Sequence, residues 1–253
     1  MSGLRDSRLL QWSVFSVMGV LSGLSGRDRY TVEYRLRRFA THCLGLKINL
    51  LQSCWHPEKQ KAIREAIVRV KGIPGDIVEC GVFRGGGTLL MAQTLKELGL
   101  NKQIHAFDSF EGMPEATVAD QMPDGKVEYT RGVLSQTSLE FVQNRLREAG
   151  VSDLVVLYKG YFENTLPNAI KPEVRFALVI IDCDQYAGTR FCLQTLYEFV
   201  SPGGLVILDD YYLDGETFDT PGVKKAVDEF LTGKPEQYQL QHMAHSMYGF
   251  TKI

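Results

Sequence analysis

Apolar positions along this chain switch between two spacings, and the switches divide it into elements. Over residues 57–71 they recur at three- and four-residue intervals, and Pro57 suits the first turn of a helix there. Gly72 to Gly75 stop that helix. Short aliphatic and β-branched runs follow at 76–80, 103–107, 154–159, 176–182 and 204–209 and predict strands. Helical periodicity occupies about 88–98, 137–149, 188–199 and 221–232. This alternation predicts an α/β fold with a doubly wound, mostly parallel sheet. The tail, roughly 237–243 and 246–252, predicts two final strands around Ala244 and His245, an antiparallel C-terminal hairpin. Two polar stretches bearing Gly and Pro, 111–136 and 211–222, are long enough to be lids over a site.

Two of the predicted strands are apolar throughout and stop abruptly at acids. Val-Ile-Ile runs into Asp182 and Asp184, and Val-Ile-Leu runs into Asp209 and Asp210. Continuous apolar runs suit strands buried on both faces, and open α/β sheets bind ligands beyond the carboxyl ends of such strands. Four carboxylates gathered there repel one another unless a cation or raised pKa values relieve them. A hard, oxygen-seeking divalent ion is the simplest relief. The plainer alternative makes them helix caps or solvated turns; two such strand ends in one chain favour the cation.

Composition narrows the picture. At 253 residues with 44% hydrophobic content, the chain suits one large α/β domain carrying an added helical segment. A net charge of −2 without a long basic run speaks against a nucleic-acid partner. The five cysteines are odd in number without close paired spacing, which suits a reduced, cytoplasmic protein. His242 and His245 stand three apart in a predicted strand or turn, and we expect them to be surface histidines and not zinc ligands. Residues 1–56 form a separate arm, with seven arginines against three acids in the first 38. Its uncharged stretch, Leu9 to Gly26, holds Gln11, four serines and three glycines, and is a weak candidate for a membrane span or signal peptide. We expect the arm to cover the active site or pack on a partner subunit in a homo-dimer or larger oligomer, with membrane contact the lesser alternative.

The first strand leads into Glu79-Cys-Gly81-Val-Phe-Arg84-Gly85-Gly86-Gly87-Thr88. Glycines there let the backbone turn sharply and approach a ligand, and the next helix offers free amides. A dinucleotide site asks for Gly-x-Gly-x-x-Gly, whereas here Glu79 takes the first position. An acid there suits a cationic or amine-bearing ligand such as S-adenosylmethionine. The second strand ends near Asp108, which can accept from a ribose diol or simply initiate a turn. After the third strand Gly160 permits close approach, and Tyr161 or Phe162 can line an adenine pocket or belong to the core.

Five phrases occur in order: Glu-x-Gly-Val-Phe-Arg-Gly-Gly, Asp-Ser-Phe-Glu-Gly-Met-Pro, Gly-Tyr-Phe-x-x-Thr-Leu-Pro, Ile-Asp-x-Asp-x-Tyr and Gly-Gly-x-x-x-x-Asp-Asp-Tyr. Together they resemble the macrocin O-methyltransferase family over about residues 57–252. The resemblance implies a Rossmann-like methyltransferase sheet at 57–253 and S-adenosylmethionine- and Mg²⁺-dependent methylation of sugar hydroxyls. It implies Asp182, Asp209 and Asp210 as metal ligands and Asp184 as general base. The expected cofactor-binding residues are Glu79, Gly81, Arg84, Gly85, Thr88, Asp108, Ser109, Gly160, Phe162 and Asp182. Asn164 and Ala187-Gly188-Thr189 depart from the family pattern near the expected cofactor and substrate walls, which leaves the small-molecule or glycan acceptor open. A catechol-like acceptor, a non-catalytic scaffold and an NAD-dependent oxidoreductase are the alternatives. The first lacks aromatic walls beyond Phe110, Met113, Met122 and Tyr129 in the lid stretch, and Glu79 argues against the last.

Overall fold

The computed structural model describes residues 55–212 and 220–253, so most of the arm and part of the second lid stretch lie outside the described residues, as do Cys43 and Cys54. Seven strands are present: β1 Asp76–Cys80, β2 Ile104–Asp108, β3 Val155–Lys159, β4 Phe176–Ile181, β5 Val200–Leu208, β6 Gln241–Ala244 and β7 Met247–Thr251. They form one sheet in the order β3-β2-β1-β4-β5-β7-β6. Strands β1 to β5 pair in parallel, and β7 runs antiparallel to both β5 and β6. The doubly wound sheet and its C-terminal antiparallel pair are as the alternation predicts. Among the described residues the α-helices are α1 Pro57–Arg69, α2 Gly86–Leu98, α3 Leu139–Glu148, α4 Phe162–Ala169, α5 Tyr186–Leu196 and α6 Pro221–Leu231.

Side chains alternate across a strand, so each strand feeds two cores. On one face Val78, Cys80, Phe107, Val179, Ile181, Val206, Leu208 and Phe250 pack with Leu166 of α4, Leu193 of α5 and Val227 of α6. The intervening positions, Ile77, Ile104, Leu178, Ile180 and Ile207, are equally buried and belong to the other face. Glu79 falls in that second set, and α1 packs against α2.

Three elements differ from the expectation. Strand β5 begins at Val200, ahead of Pro202 and Gly203, because its register jumps: Phe176 pairs with Val200 and Leu178 with Leu205, so the intervening residues bulge. Helix α4 was hidden by its brevity and by Pro167 inside it, and tertiary burial of Leu166 holds it in place. Residues Pro235–Gln239 form a 3₁₀ turn where the tail predicts a strand, and β6 starts only at Gln241. Pro235 at the start of the turn favours that geometry.

Candidate active site

The strand order turns at β1, which lies between β2 and β4, and ligand crevices open at such switch points. Gly81 forms the floor. Its φ is +100°, and a Cβ there would sit 1.8 Å from the Asp182 carbonyl oxygen. The Asp182 amide donates to Cys80 O at 2.8 Å and the Gly81 amide to Phe107 O at 3.0 Å, so three strand ends are tied together here.

Glu79 lies under this floor, almost wholly buried. Thr88 Oγ1 donates to its Oε2 at 2.5 Å. Gly87 is crowded by Glu79 Oε1 and the Trp55 ring, each 2.6 Å from where a Cβ would be. Burial pushes the Glu79 carboxyl up to about 8, against the Thr88 hydrogen bond and with help from the Asp108 charge. A buried acid of this kind suits a ligand that brings positive charge or donors.

Asp108 is more occupied than a free ribose acceptor. Its Oδ2 accepts the amides of Val82 and Phe83, both at 2.8 Å, and its Oδ1 accepts the amide of Phe110 at 2.6 Å. A carboxylate has about four lone-pair sites, so roughly one is left for a ligand hydroxyl. Asp108 thereby holds the glycine-rich turn to the end of β2. Both Phe83 and Phe110 adopt positive φ, at 48° and 53°, an uncommon backbone for bulky residues and one found at ligand clefts.

The other expected cofactor residues divide. Gly85 has φ +73° and packs closely on Val142, while Gly160 has φ +142° and donates its amide to Asp108 O. Phe162 opens α4 and packs against the core cluster. Ser109 Oγ donates to Gly112 O at 2.8 Å and accepts from the Glu111 amide, which shapes the start of the lid stretch. Arg84 stacks its guanidinium over the Phe141 ring, 5.2 Å from the centroid.

Beyond β4 and β5 the four aspartates do not act alike. Carboxylate oxygens of Asp182, Asp184 and Asp210 lie within 4.8 Å of one another. Asp209 is buried and meets Lys59, whose Nζ is 2.5 Å from its Oδ1 and 3.4 Å from Asp210 Oδ1. Trp55 Nε1 donates to Asp182 Oδ2 at 3.0 Å, and Ser246 Oγ donates to Asp210 Oδ1 at 2.9 Å. Asp184 and Asp210 both sit in left-handed backbone, φ 55° and 54°, which turns each off its strand direction toward the shared cleft. The strand ends at Ile181, so Asp184 reaches Asp182 through this turn and not by sharing a strand face.

Burial, then Asp209 and Asp210, raise the Asp182 carboxyl well above the ordinary range. Burial, then Asp182 and Asp210, do the same to Asp184, and Asp209 is raised to about 6 by burial and Asp210 against the pull of Lys59. Burial opposes the charge on Lys59, yet Asp209 and Asp210 outweigh it and raise its pKa. An all-oxygen set under mutual repulsion fits a hard divalent ion.

Sequence reasoning missed Lys59, Trp55 and Asp120. Lys59 and Trp55 carry no local signal. Asp120 does: Thr117-x-x-Asp120 is a capping-box spacing, and both reciprocal bonds form. Asp120 Oδ1 then accepts the Tyr186 amide at 2.6 Å, which anchors the 111–136 stretch to the start of α5. Gln185 adds to this by donating to Pro114 O and Tyr129 O.

The macrocin-O-methyltransferase (TylF) family profile matches residues 57–245. The chain belongs to this family. As a macrocin-O-methyltransferase family member it is an O-methyltransferase, and fold and family together support S-adenosylmethionine as its methyl donor. It is 32% identical over 212 residues to mycinamicin III 3''-O-methyltransferase of Micromonospora griseorubida, covering 81% of this chain and 73% of that protein. It is 38% identical over 151 residues to a 4'-O-methyltransferase of Streptomyces olivaceus that acts on 8-demethyl-8-(2,3-dimethoxy-α-L-rhamnosyl)-tetracenomycin C, covering 58% of this chain and 57% of that protein. The O-methyltransferase NovP superposes with a TM-score of 0.66 at 29% identity, covering 77% of this chain and 79% of NovP. The Rossmann-like methyltransferase sheet implied by the five phrases is therefore the fold. No helix among the described residues is long and apolar enough to cross a membrane.

Proposed function

We propose that this enzyme methylates a sugar hydroxyl of a glycosylated natural product or glycan, using S-adenosylmethionine and a divalent ion such as Mg²⁺. The observation that carries the metal and base assignment is the convergence of Asp182, Asp184 and Asp210 beside the glycine-rich turn. Relatives that methylate antibiotic sugars support the acceptor class. Asp182 and Asp210, with Asp209 behind them, would hold the ion, and Asp184 is the base.

A bound sulfonium cofactor supplies an electrophilic methyl group that needs little activation. A bound divalent ion supplies charge that lowers the pKa of a coordinated hydroxyl. The chain's own residues do the rest. Glu79, Thr88 and the α2 amino end shape the cofactor pocket, and Asp108 keeps the turn at Val82 and Phe83 closed over it. Asp184 takes the hydroxyl proton onto its carboxylate, whose oxygen lies within 4.8 Å of those of Asp182 and Asp210. Lys59 holds Asp209 in place, and Trp55 fixes the orientation of Asp182.

The raised carboxylates also predict a pH-dependent response to metal. A folded carboxyl pKa above its unfolded value contributes stability that is present below about pH 4 and lost as pH rises through the folded pKa. For Asp209 that window closes near 6. A divalent ion competes with those protons, so Mg²⁺ should raise the melting temperature more at about pH 7.5 than at about pH 5. Differential scanning fluorimetry at both values checks this, and an equal shift at the two would remove the carboxylates from metal binding.

The proposed activity is tested by calorimetric titration of S-adenosylmethionine, followed by methyl transfer to sugar-bearing acceptors with Mg²⁺ or EDTA. Cofactor binding with transfer abolished by EDTA and restored by Mg²⁺ is expected. Transfer that survives EDTA would overturn the metal assignment, and absent cofactor binding would overturn the whole reading.

A further inference from the structure

A second group of metal-ligating side chains lies outside the carboxylate cluster. His56 precedes α1, Glu58 is in its first turn, and His245 is in the turn between β6 and β7, 189 positions from His56 in the chain. His245 Nε2 is 2.9 Å from His56 Nδ1 and 3.1 Å from Glu58 Oε2. The three donor atoms all fall within 4.8 Å of one another, and all three residues are exposed. The imidazole rings meet edge to face, with centroids 4.3 Å apart.

Two of the three donor separations are close to those of a tetrahedral ion site, and the third is within 4.8 Å. Zn–N and Zn–O bonds of about 2.0–2.2 Å separate neighbouring ligand atoms by roughly 3.3–3.5 Å. Opening the two observed contacts by a few tenths of an ångström needs only small side-chain rotations. His56 Nδ1 already accepts weakly from the Glu58 amide at 3.4 Å, a long bond that gives way easily. His245 is held for the role by its surroundings. It has φ 50°, and His242 Nε2 donates to its carbonyl at 2.7 Å, fixing the turn. His242 and His245 are therefore not a ligand pair; the partners of His245 come from the far end of the chain.

We propose that His56 Nδ1, His245 Nε2 and Glu58 Oε2 bind a transition-metal dication of the Zn²⁺ class, leaving a fourth position to water. Two imidazoles and one carboxylate suit such a borderline ion, whereas the all-oxygen cluster suits Mg²⁺, so the two sites select different metals. The bound ion staples the start of α1 to the β6–β7 turn. Those two segments carry Trp55, Lys59 and Ser246, the residues that contact Asp182, Asp209 and Asp210.

The test is calorimetric titration of ZnCl₂ into the full-length protein under saturating Mg²⁺, with melting temperature as a second readout. His56→Asn and His245→Asn are the variants, because asparagine caps helices and tolerates positive φ. The wild type should take up one equivalent of Zn²⁺ and melt higher with it. Each variant, folded by circular dichroism, should lose affinity by on the order of tenfold or more, together with the thermal shift. A wild type that takes up no stoichiometric Zn²⁺, or variants that bind it unchanged, would overturn the site.

Discussion

Asp184→Asn is expected to lower the rate of methyl transfer by about 10²- to 10⁴-fold, the usual contribution of a positioned general base. S-adenosylmethionine and Mg²⁺ affinities should stay nearly unchanged. The substitution keeps the size of the side chain, and asparagine tolerates the left-handed backbone that Asp184 adopts at φ 55°. What it removes is the ability to take a proton. It also removes one of the negative charges beside Asp182 and Asp210, so Mg²⁺ affinity should fall far less than the rate, because the assigned ligands are intact. Single-turnover methyl transfer, with calorimetry for cofactor and metal, separates the two effects. Wild-type turnover in this variant would dismiss Asp184 as the base. In the wild type, activity should fall at acidic pH as the Asp184 carboxylate is protonated, because only the ionised carboxylate accepts a proton. The variant should lose that acidic limb of the profile.

Among the described glycines, Gly81→Ala should be the most damaging added methyl group. Its Cβ would lie 1.8 Å from the Asp182 carbonyl oxygen, and φ +100° is itself unfavourable for alanine. A flexible side chain could swing away from such a clash, but the obstacle is backbone. Moving it means breaking the bond from the Asp182 amide to Cys80 O or the one from the Gly81 amide to Phe107 O, which hold β1, β2 and β4 together. A loss above about 3 kcal/mol is expected, in the range reserved for overpacking and backbone strain. Gly99→Ala is the control. It too has positive φ, +62°, yet nothing lies within 4 Å of its Cβ, so only the conformational cost of about 1 kcal/mol applies. Urea denaturation of the two variants gives the comparison. Equal losses would mean that the close approach of β1 to β4 does not limit this position.

Local patterns made much of the fold legible. The apolar runs of β1, β4 and β5, and the periodicity of α1, α2 and α6, are each confined to stretches short enough to show in sequence. Where local signals conflict, tertiary packing decided: α4 forms despite Pro167, and β5 continues through Pro202 and Gly203 by bulging. Asp120 lay between the two cases, visible as a capping box but not as the anchor of α5.

By itself, the sequence determined the α/β alternation, the acids at the ends of β4 and β5, the glycine-rich turn and the five phrases that place the chain in its family. These depend on residues close together in the chain, where period and spacing are physical constraints on a single element. Only the tertiary structure decided that Asp182, Asp184 and Asp210 converge while Asp209 turns to Lys59, and that Trp55 reaches Asp182 across 127 positions. It also decided that Asp108 spends three acceptor sites on amides and that His245 meets His56 and Glu58, not His242. Such contacts are set by strand order, register and the direction of each turn. None of these is encoded in the spacing of residues along one element, because each arises only when separate elements share a core.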